Sequence, residues 1–395
     1  MSVDPIVIVS VARTPIGGFL GALSGMTAPQ LGGVAIRETV KRSGVDPQLI
    51  DELIMGCVLP AGLGQAPARQ AALNAELPLS VGCTTVNKVC GSGMKAMLLA
   101  HDLLKADSTQ VMIAGGMESM SNAPYLLPKA RQGYRLGHGQ MIDHMFFDGL
   151  EDAYFDRGRL MGSFAEDCAA SYGFTRQEQD AFAIRSTERA QRAIAEGHFV
   201  WETTLVTVAG RQGDVLVVDD EQPPKVNVGK IPTLKPAFRK EGTVTAGNSS
   251  SISDGAAALM LMRRSVAEKF GLAPIATILG HSNYAGEPRL FPTAPVGAMR
   301  ALLDRLAWTT GSVDVFEINE AFAVVTMAAI RDLELDEAKV NIHGGACAIG
   351  HPIGASGARI VISLLGALRA TGGRRGVASL CIGGGEATAV AVELC

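Results

Sequence analysis

The sequence is poor in aromatic residues, at 5% of 395, with two tryptophans and five tyrosines. It also lacks a strong charge of either sign: the net value is −4 and its Lys and Arg are scattered, which excludes the basic footprint of a nucleic-acid surface. Its seven cysteines (Cys57, Cys83, Cys90, Cys168, Cys347, Cys381 and Cys395) form an odd set without a CxxC pair. That argues against a disulfide framework or zinc cluster, so no metal is expected, and for a reducing compartment. Met1–Pro5 has no basic stretch followed by an apolar one, no uninterrupted apolar run is long enough to span a bilayer, and the last four residues match no retention or peroxisomal signal. A cytoplasmic location is expected, without membrane or nucleic-acid partners.

What is abundant is glycine, 46 residues, in a chain that is 47% apolar. This is the composition of an α/β protein with many tight strand-to-helix turns, and the length calls for two or more domains. Ile6–Val11 reads as a strand, Pro29–Arg42 as a helix, Ile50–Val58 as a strand, Ala66–Asn74 as a helix and Gln110–Ala114 as a strand. The alternation predicts a mostly parallel sheet with helices on both faces. From Ser121 to Gly247 the rhythm breaks into a Pro-, Gly- and Tyr-rich stretch with one helix pair, Gly162–Tyr172 and Thr175–Glu196, the second opening on a capping box. A helix is then expected over Asp254–Leu259. The remainder repeats the first portion at an offset near 260 to 270 residues, with Cys90-Gly91-Ser92-Gly93 lying over Gly354-Ala355-Ser356-Gly357. The expected divisions are 1–120, an insertion 121–247, a return segment 248–270 and a second half 271–395.

Two such halves packed about a pseudo-twofold axis bring equivalent strand ends to a shared crevice. Four segments fall there. Asn87-Lys88-Val89-Cys90-Gly91-Ser92-Gly93 places a thiol at the first turn of a helix, where backbone N–H groups and the helix dipole favour a thiolate. His351, held between Gly350 and Pro352, can accept that thiol's proton. Asn319 can fix a water beside His351 or serve as a helix cap. Cys381, before Gly383-Gly384-Gly385, can move a proton on a glycine nest or simply end a buried strand. Cys347 is assigned to packing.

The segments NKVCGSGMKA, GGMESMS, GTVTAGNSS, NEAFA, GHPIGASGAR and CIGGGEA, in this order and spacing, resemble the thiolase family over nearly the whole chain. The resemblance implies a thiolase-like α/β fold: two homologous halves in a five-layer αβαβα sandwich with an inserted loop domain. It implies Cys90 as acyl-accepting nucleophile, Cys381 as acid/base, and His351 with an Asn319-bound water as one oxyanion hole. The N–H groups of Cys90 and Gly383 would form the other. The implied chemistry is ping-pong condensation of two acetyl-CoA to acetoacetyl-CoA and CoA, or thiolysis in reverse.

Within the family the short-chain type fits best, with Phe291 near the acyl tip and Met161, Ala246, Ser250 and Phe322 along the pantetheine tunnel. Coenzyme A is a substrate and no cofactor is implied. The segment Glu221–Lys225 replaces one tied to potassium in relatives, which puts potassium dependence in doubt and leaves Lys225 or Lys230 for the CoA phosphates. Leu160-Met161-Gly162 lacks the family's frequent pocket histidine. A homodimer or homotetramer is implied, Tyr134–Met145 resembling the tetramerisation loop. The rival readings are a broader 3-ketoacyl-CoA thiolase and a catalytically silent thiolase-like scaffold.

Overall fold

The computed structural model describes residues 4–210 and 213–395. The first half builds β1 (Ile6–Arg13), α1 (Ala28–Ser43), β2 (Glu52–Gly56), α2 (Pro67–Asn74), β3 (Gly82–Val86), α3 (Ser92–Lys105) and β4 (Val111–Ser119). The intervening region carries α4 (Met161–Tyr172) and α5 (Arg176–Ala195), the latter opening on the Thr175/Glu178 capping box expected from the sequence. The chain returns to the first sheet through β5 (Ser253–Arg263). The second half follows as β6 (Ala276–Ala285), α6 (Ala294–Leu306), β7 (Val315–Ile318), α7 (Ala323–Asp332), α8 (Ile353–Thr371), β8 (Arg375–Ile382) and β9 (Glu386–Leu394).

The strand order β7-β8-β9-β6-β1-β5-β4-β2-β3 is close to a palindrome, β6 mirroring β1, β9 mirroring β5, β8 mirroring β4 and β7 mirroring β2. Along this order β3 lacks a full counterpart among the described residues; a single parallel bridge from Phe316 to Val340 stands in its place. Helices α3 and α8 pack against each other, α3 on strands of the first half and α8 on strands of both, while α1 and α2 cover the outer face of one half and α6 and α7 that of the other. This is the five-layer αβαβα arrangement. Helix α8, buried over nearly its whole length, is long and apolar enough to cross a membrane by composition alone, but its surroundings are α3 and strands of both halves.

Two sequence expectations fail here. The sheet is mixed rather than mostly parallel: β2 pairs parallel with β3 and β4, and β7 with β8, but β1, β5, β6 and β9 run antiparallel to their neighbours. The turn at Gly383–Gly385 shows why, because it joins β8 directly to β9 and leaves no room for a crossover helix. The helix expected over Asp254–Leu259 is strand β5. Its alanines favour a helix in isolation, but β5 lies between β1 and β4 and pairs with both along its length. Tertiary pairing overrides local preference at a central strand.

The inserted region is pinned to β1 by a buried charge cluster. The fully buried Arg13 guanidinium makes two bonds to Asp220 (2.7 and 2.9 Å) and one to Glu202 (2.6 Å). Each buried charge therefore has a partner.

Candidate active site

Cys90 does not lie within the first turn of α3 but just before it, since Gly91 is the N-cap. Val89 turns the chain there with φ of +46°, a left-handed conformation costly for a β-branched residue. The turn is held by its neighbours: Val89 N–H donates to Asn87 Oδ1 (2.9 Å), Lys88 N–H to Ser92 Oγ (2.8 Å), and Ser92 Oγ to the Val89 carbonyl (2.7 Å). Lys88 reaches across to Glu386 of β9, tying the turn to the second half.

His351 is presented by Gly350, whose φ of +111° suits only glycine and where a Cβ would lie 2.2 Å from Ser253 Oγ. The His351 N–H donates to the Ser251 carbonyl (3.1 Å). Its ring Nδ1 is 2.6 Å from Ser356 Oγ on α8, and that hydroxyl donates to the Pro352 carbonyl (2.9 Å). With its proton so committed, Ser356 Oγ accepts from Nδ1–H, which leaves Nε2 as the free base. Asn319 follows β7, with its Nδ2 3.5 Å from that Nε2. It is not the cap of α7, a place taken by Phe322. The Ser249–Phe322 bridge and the Ser250 N–H to Ala321 carbonyl bond (3.0 Å) join this loop to the segment before β5.

These pieces enclose a cavity of about 400 Å³. Cys90, His351, Cys381 and Gly383 all line it, as do Met161, Ala246 and Ser250. Phe291 and Phe322 line it too, in a chain of edge-on rings: Phe164–Phe291 at 6.2 Å, Phe291–Phe322 at 6.5 Å and Phe238–Phe322 at 6.0 Å. Asn319 stands behind His351 rather than in the wall. Lys225 lies elsewhere, paired with Glu221 (2.5 Å) at a second cavity of about 300 Å³ that also holds Lys230 and Cys347. The two cavities share Ala246, Ser249 and Ser251, so they adjoin. The sequence reading missed Phe146, Leu150 and Phe238 in the wall; the first two lie on a single short helical turn, Phe146–Leu150, and the third in a loop, and none sits in a motif. It also missed Ser356, although its place five residues after His351 in a helix was a usable signal.

The electrostatics run against a standing thiolate. Burial pushes the Cys90 thiol up to about 11, although the N–H groups of Gly383 and of Cys90 itself point at the sulfur and pull the other way. Burial raises Cys381 well above an ordinary thiol, and the neighbouring Cys90 adds to the effect. His351 falls to about 3, through burial first and the Arg359 charge second. Both shifts favour the uncharged thiol and the uncharged imidazole in the resting site, against the thiolate expected at the helix terminus. Glu118, buried at the end of β4, accepts from the N–H groups of Val58 (2.9 Å), Leu59 (3.1 Å) and Gly354 (2.9 Å), and burial lifts it to about 7. It fastens the start of α8 to the first half.

Such a site can form a covalent bond to one sulfur, exchange a proton with a second and hold an oxygen charge on the Gly383 and Cys90 N–H groups. Comparison with known proteins points the same way. Family models for the thiolase N-terminal and C-terminal domains match residues 6–265 and 272–394. Acetyl-CoA acetyltransferase 1 of Arabidopsis thaliana is 51% identical over 389 residues, covering 98% of this chain and 93% of that protein. The acetyl-CoA acetyltransferase of Pseudomonas aeruginosa is 46% identical, covering 98% of each. The crystal structure of the Acat5 thiolase of Ascaris suum in complex with coenzyme A matches with a TM-score of 0.94 at 41% identity, over 99% of this chain and 100% of that one.

Proposed function

The chain belongs to the thiolase family, and from that premise we propose that it is an acetyl-CoA C-acetyltransferase that interconverts two acetyl-CoA with acetoacetyl-CoA and CoA. The reading rests on one observation: two thiols and the imidazole of His351 line a single cavity whose Gly383 N–H is aimed at the Cys90 sulfur. In thiolysis, His351 Nε2 takes the Cys90 proton as the sulfur attacks the 3-keto carbon. The C2–C3 bond breaks, its electron pair passes to the leaving enolate, and Cys381 protonates that carbon to release acetyl-CoA. The thiol of CoA then loses its proton to Cys381 and attacks the acetyl-Cys90 thioester, giving the second acetyl-CoA, and the Cys90 thiolate expelled in that step takes its proton back from His351. In this scheme the oxyanion of the attack on the ketone lies on the Cys90 and Gly383 N–H groups, and the enolate oxygen on His351 and a water held by Asn319.

Met161, Ala246, Ser250 and Phe322 line the proposed pantetheine path, with Phe291 toward the acyl end, and the second cavity takes the remainder of CoA. There Lys230 is a better phosphate contact than Lys225, whose charge is engaged by Glu221. Every proton in the scheme has a side chain to move it, so the reading assigns no metal or cofactor. A chelator should leave turnover unchanged, and potassium should have little effect. The free edge of β3, with exposed Leu79 beside it, suits a dimer, and exposed Leu136 and Met141 suit association of dimers.

The test is steady-state thiolysis and condensation with acetoacetyl-CoA, its 2-methyl derivative and a longer 3-ketoacyl-CoA. A kcat/KM highest for the four- and five-carbon acyl chains is expected. Equal turnover of long chains would favour the broader thiolase, and no turnover of any would contradict the assignment.

A further inference from the structure

We infer that Arg359, a residue outside the cavity wall, is a positioning residue for this reaction, acting through Asn319 to aim the amide donor at the imidazole of His351. The inference rests on the thiolase reading above and goes beyond it. A fully buried arginine is costly unless its donors are paired. The strongest pairing open to Arg359 is a two-pronged bond to the buried Glu317, yet the fork is split. Nη1 donates to Glu317 Oε1 (3.1 Å), Nη2 donates to Asn319 Oδ1 (3.4 Å), and Nε has no partner among the described residues.

The split fixes a direction. A carboxamide has a donor end and an acceptor end, and flipping it would set its NH2 against a cation that can only donate. With Oδ1 held by the guanidinium, Nδ2 has to face His351 Nε2, the 3.5 Å contact in the structure. Ser356 orients the imidazole from its other nitrogen at 2.6 Å. Ser356 and Arg359 are three residues apart on α8 and so share a face. One helical turn therefore aligns both members of the His351–Asn319 pair, each from behind. Sequence placed Ser356 and Arg359 in a motif without giving either a task.

The experiment compares Arg359→Lys, Asn319→Ala and the double variant in acetoacetyl-CoA thiolysis. Arg359→Lys keeps the charge but not the fork, and should lower kcat by about 100-fold with KM within about threefold, as expected for a misaligned donor. Because Arg359 acts through Asn319, the double variant should be no slower than the slower single one. Losses that multiply, or a KM change with kcat intact, would overturn the proposal. If the wild type itself turns over no ketoacyl-CoA, the functional reading fails while the positioning claim is still read from a crystal structure of Arg359→Lys. There the Asn319 amide should have turned or withdrawn from His351, and an unmoved amide overturns the claim. Should Arg359→Lys not fold, Asn319→Asp serves. Arg359 should donate to the new carboxylate, so the denaturation midpoint of Asn319→Asp should match that of Asn319→Ala or exceed it. A clearly lower midpoint would mean that no such contact exists.

Discussion

At Cys90 two opposed effects act on one sulfur, and burial wins. Backbone N–H groups stabilise a thiolate there, but not enough to offset removal from water, so the thiol sits near 11 and its base partner near 3. The free enzyme should then be a poor nucleophile until substrate arrives. Iodoacetamide labelling of Cys90 is expected to rise steadily from neutral pH into the alkaline range, with a midpoint above that of an unperturbed thiol, and saturating acetyl-CoA should block it. A plateau beginning below neutrality would mean a standing thiolate–imidazolium pair instead. The motif residues were legible at this scale because their chemistry is carried by residue type: Cys90, His351, Cys381 and Gly383 all reach the cavity. Their protonation was not. It depends on how much of the chain is packed over them, which no motif encodes.

Between elements, the decisive feature is how closely α3 and α8 approach. A Cβ at Gly357 would fall 2.4 Å from Met94 N, and one at Gly116 would fall 2.0 Å from the Gly354 carbonyl oxygen, both immovable backbone atoms. Glycine therefore sets the spacing of the middle layer that presents Cys90 and His351 from opposite halves. Gly357→Ala should lower stability by about 1–3 kcal/mol in denaturant titration and reduce kcat along with it. Wild-type stability would refute so tight a fit. The internal repeat was readable because Cys90–Gly93 and Gly354–Gly357 match at an offset near 260 to 270 residues; that match marks α3 and α8, and β1/β6, β2/β7 and β4/β8 fall in equivalent places around them. Strand β5 was not, because alanine-rich sequence signals a helix and only the flanking strands make it otherwise. Phe146, Leu150 and Phe238 escaped notice because the insertion positions them without a periodic pattern, and Arg359 because a buried arginine looks like a solvated one until its partners are known.

For the whole molecule, the buried ionisable groups shape the pH dependence of folding. His351 and His343 are lowered to about 3 and about 4 from 6.5, so the unfolded chain binds their protons first. Their contribution is complete above about 6.5 and is lost as pH falls toward those values. Glu118 and Glu317 are raised to about 7 and about 8 from 4.5; here the folded state holds the protons, and the contribution present below 4.5 is lost as pH rises through 7 to 8. Glu202, Glu320 and Asp254 are shifted in the same upward direction. Stability should therefore peak at mildly acidic pH and decline toward 8. Glu317→Gln should make that decline shallower in denaturant midpoints taken across the range, and an unchanged slope would remove Glu317 from the account.

The claim joining all three scales is that an acyl group passes through the sulfur of Cys90, and it can be seen directly. The protein is mixed briefly with acetyl-CoA, quenched in acid, digested, and its peptides weighed by mass spectrometry. One acetyl group on the Cys90 peptide, absent from Cys381 and Cys347 and removed by added CoA, is the predicted result. An unmodified Cys90 peptide, or an acetyl group that settles on another cysteine and ignores CoA, would contradict it.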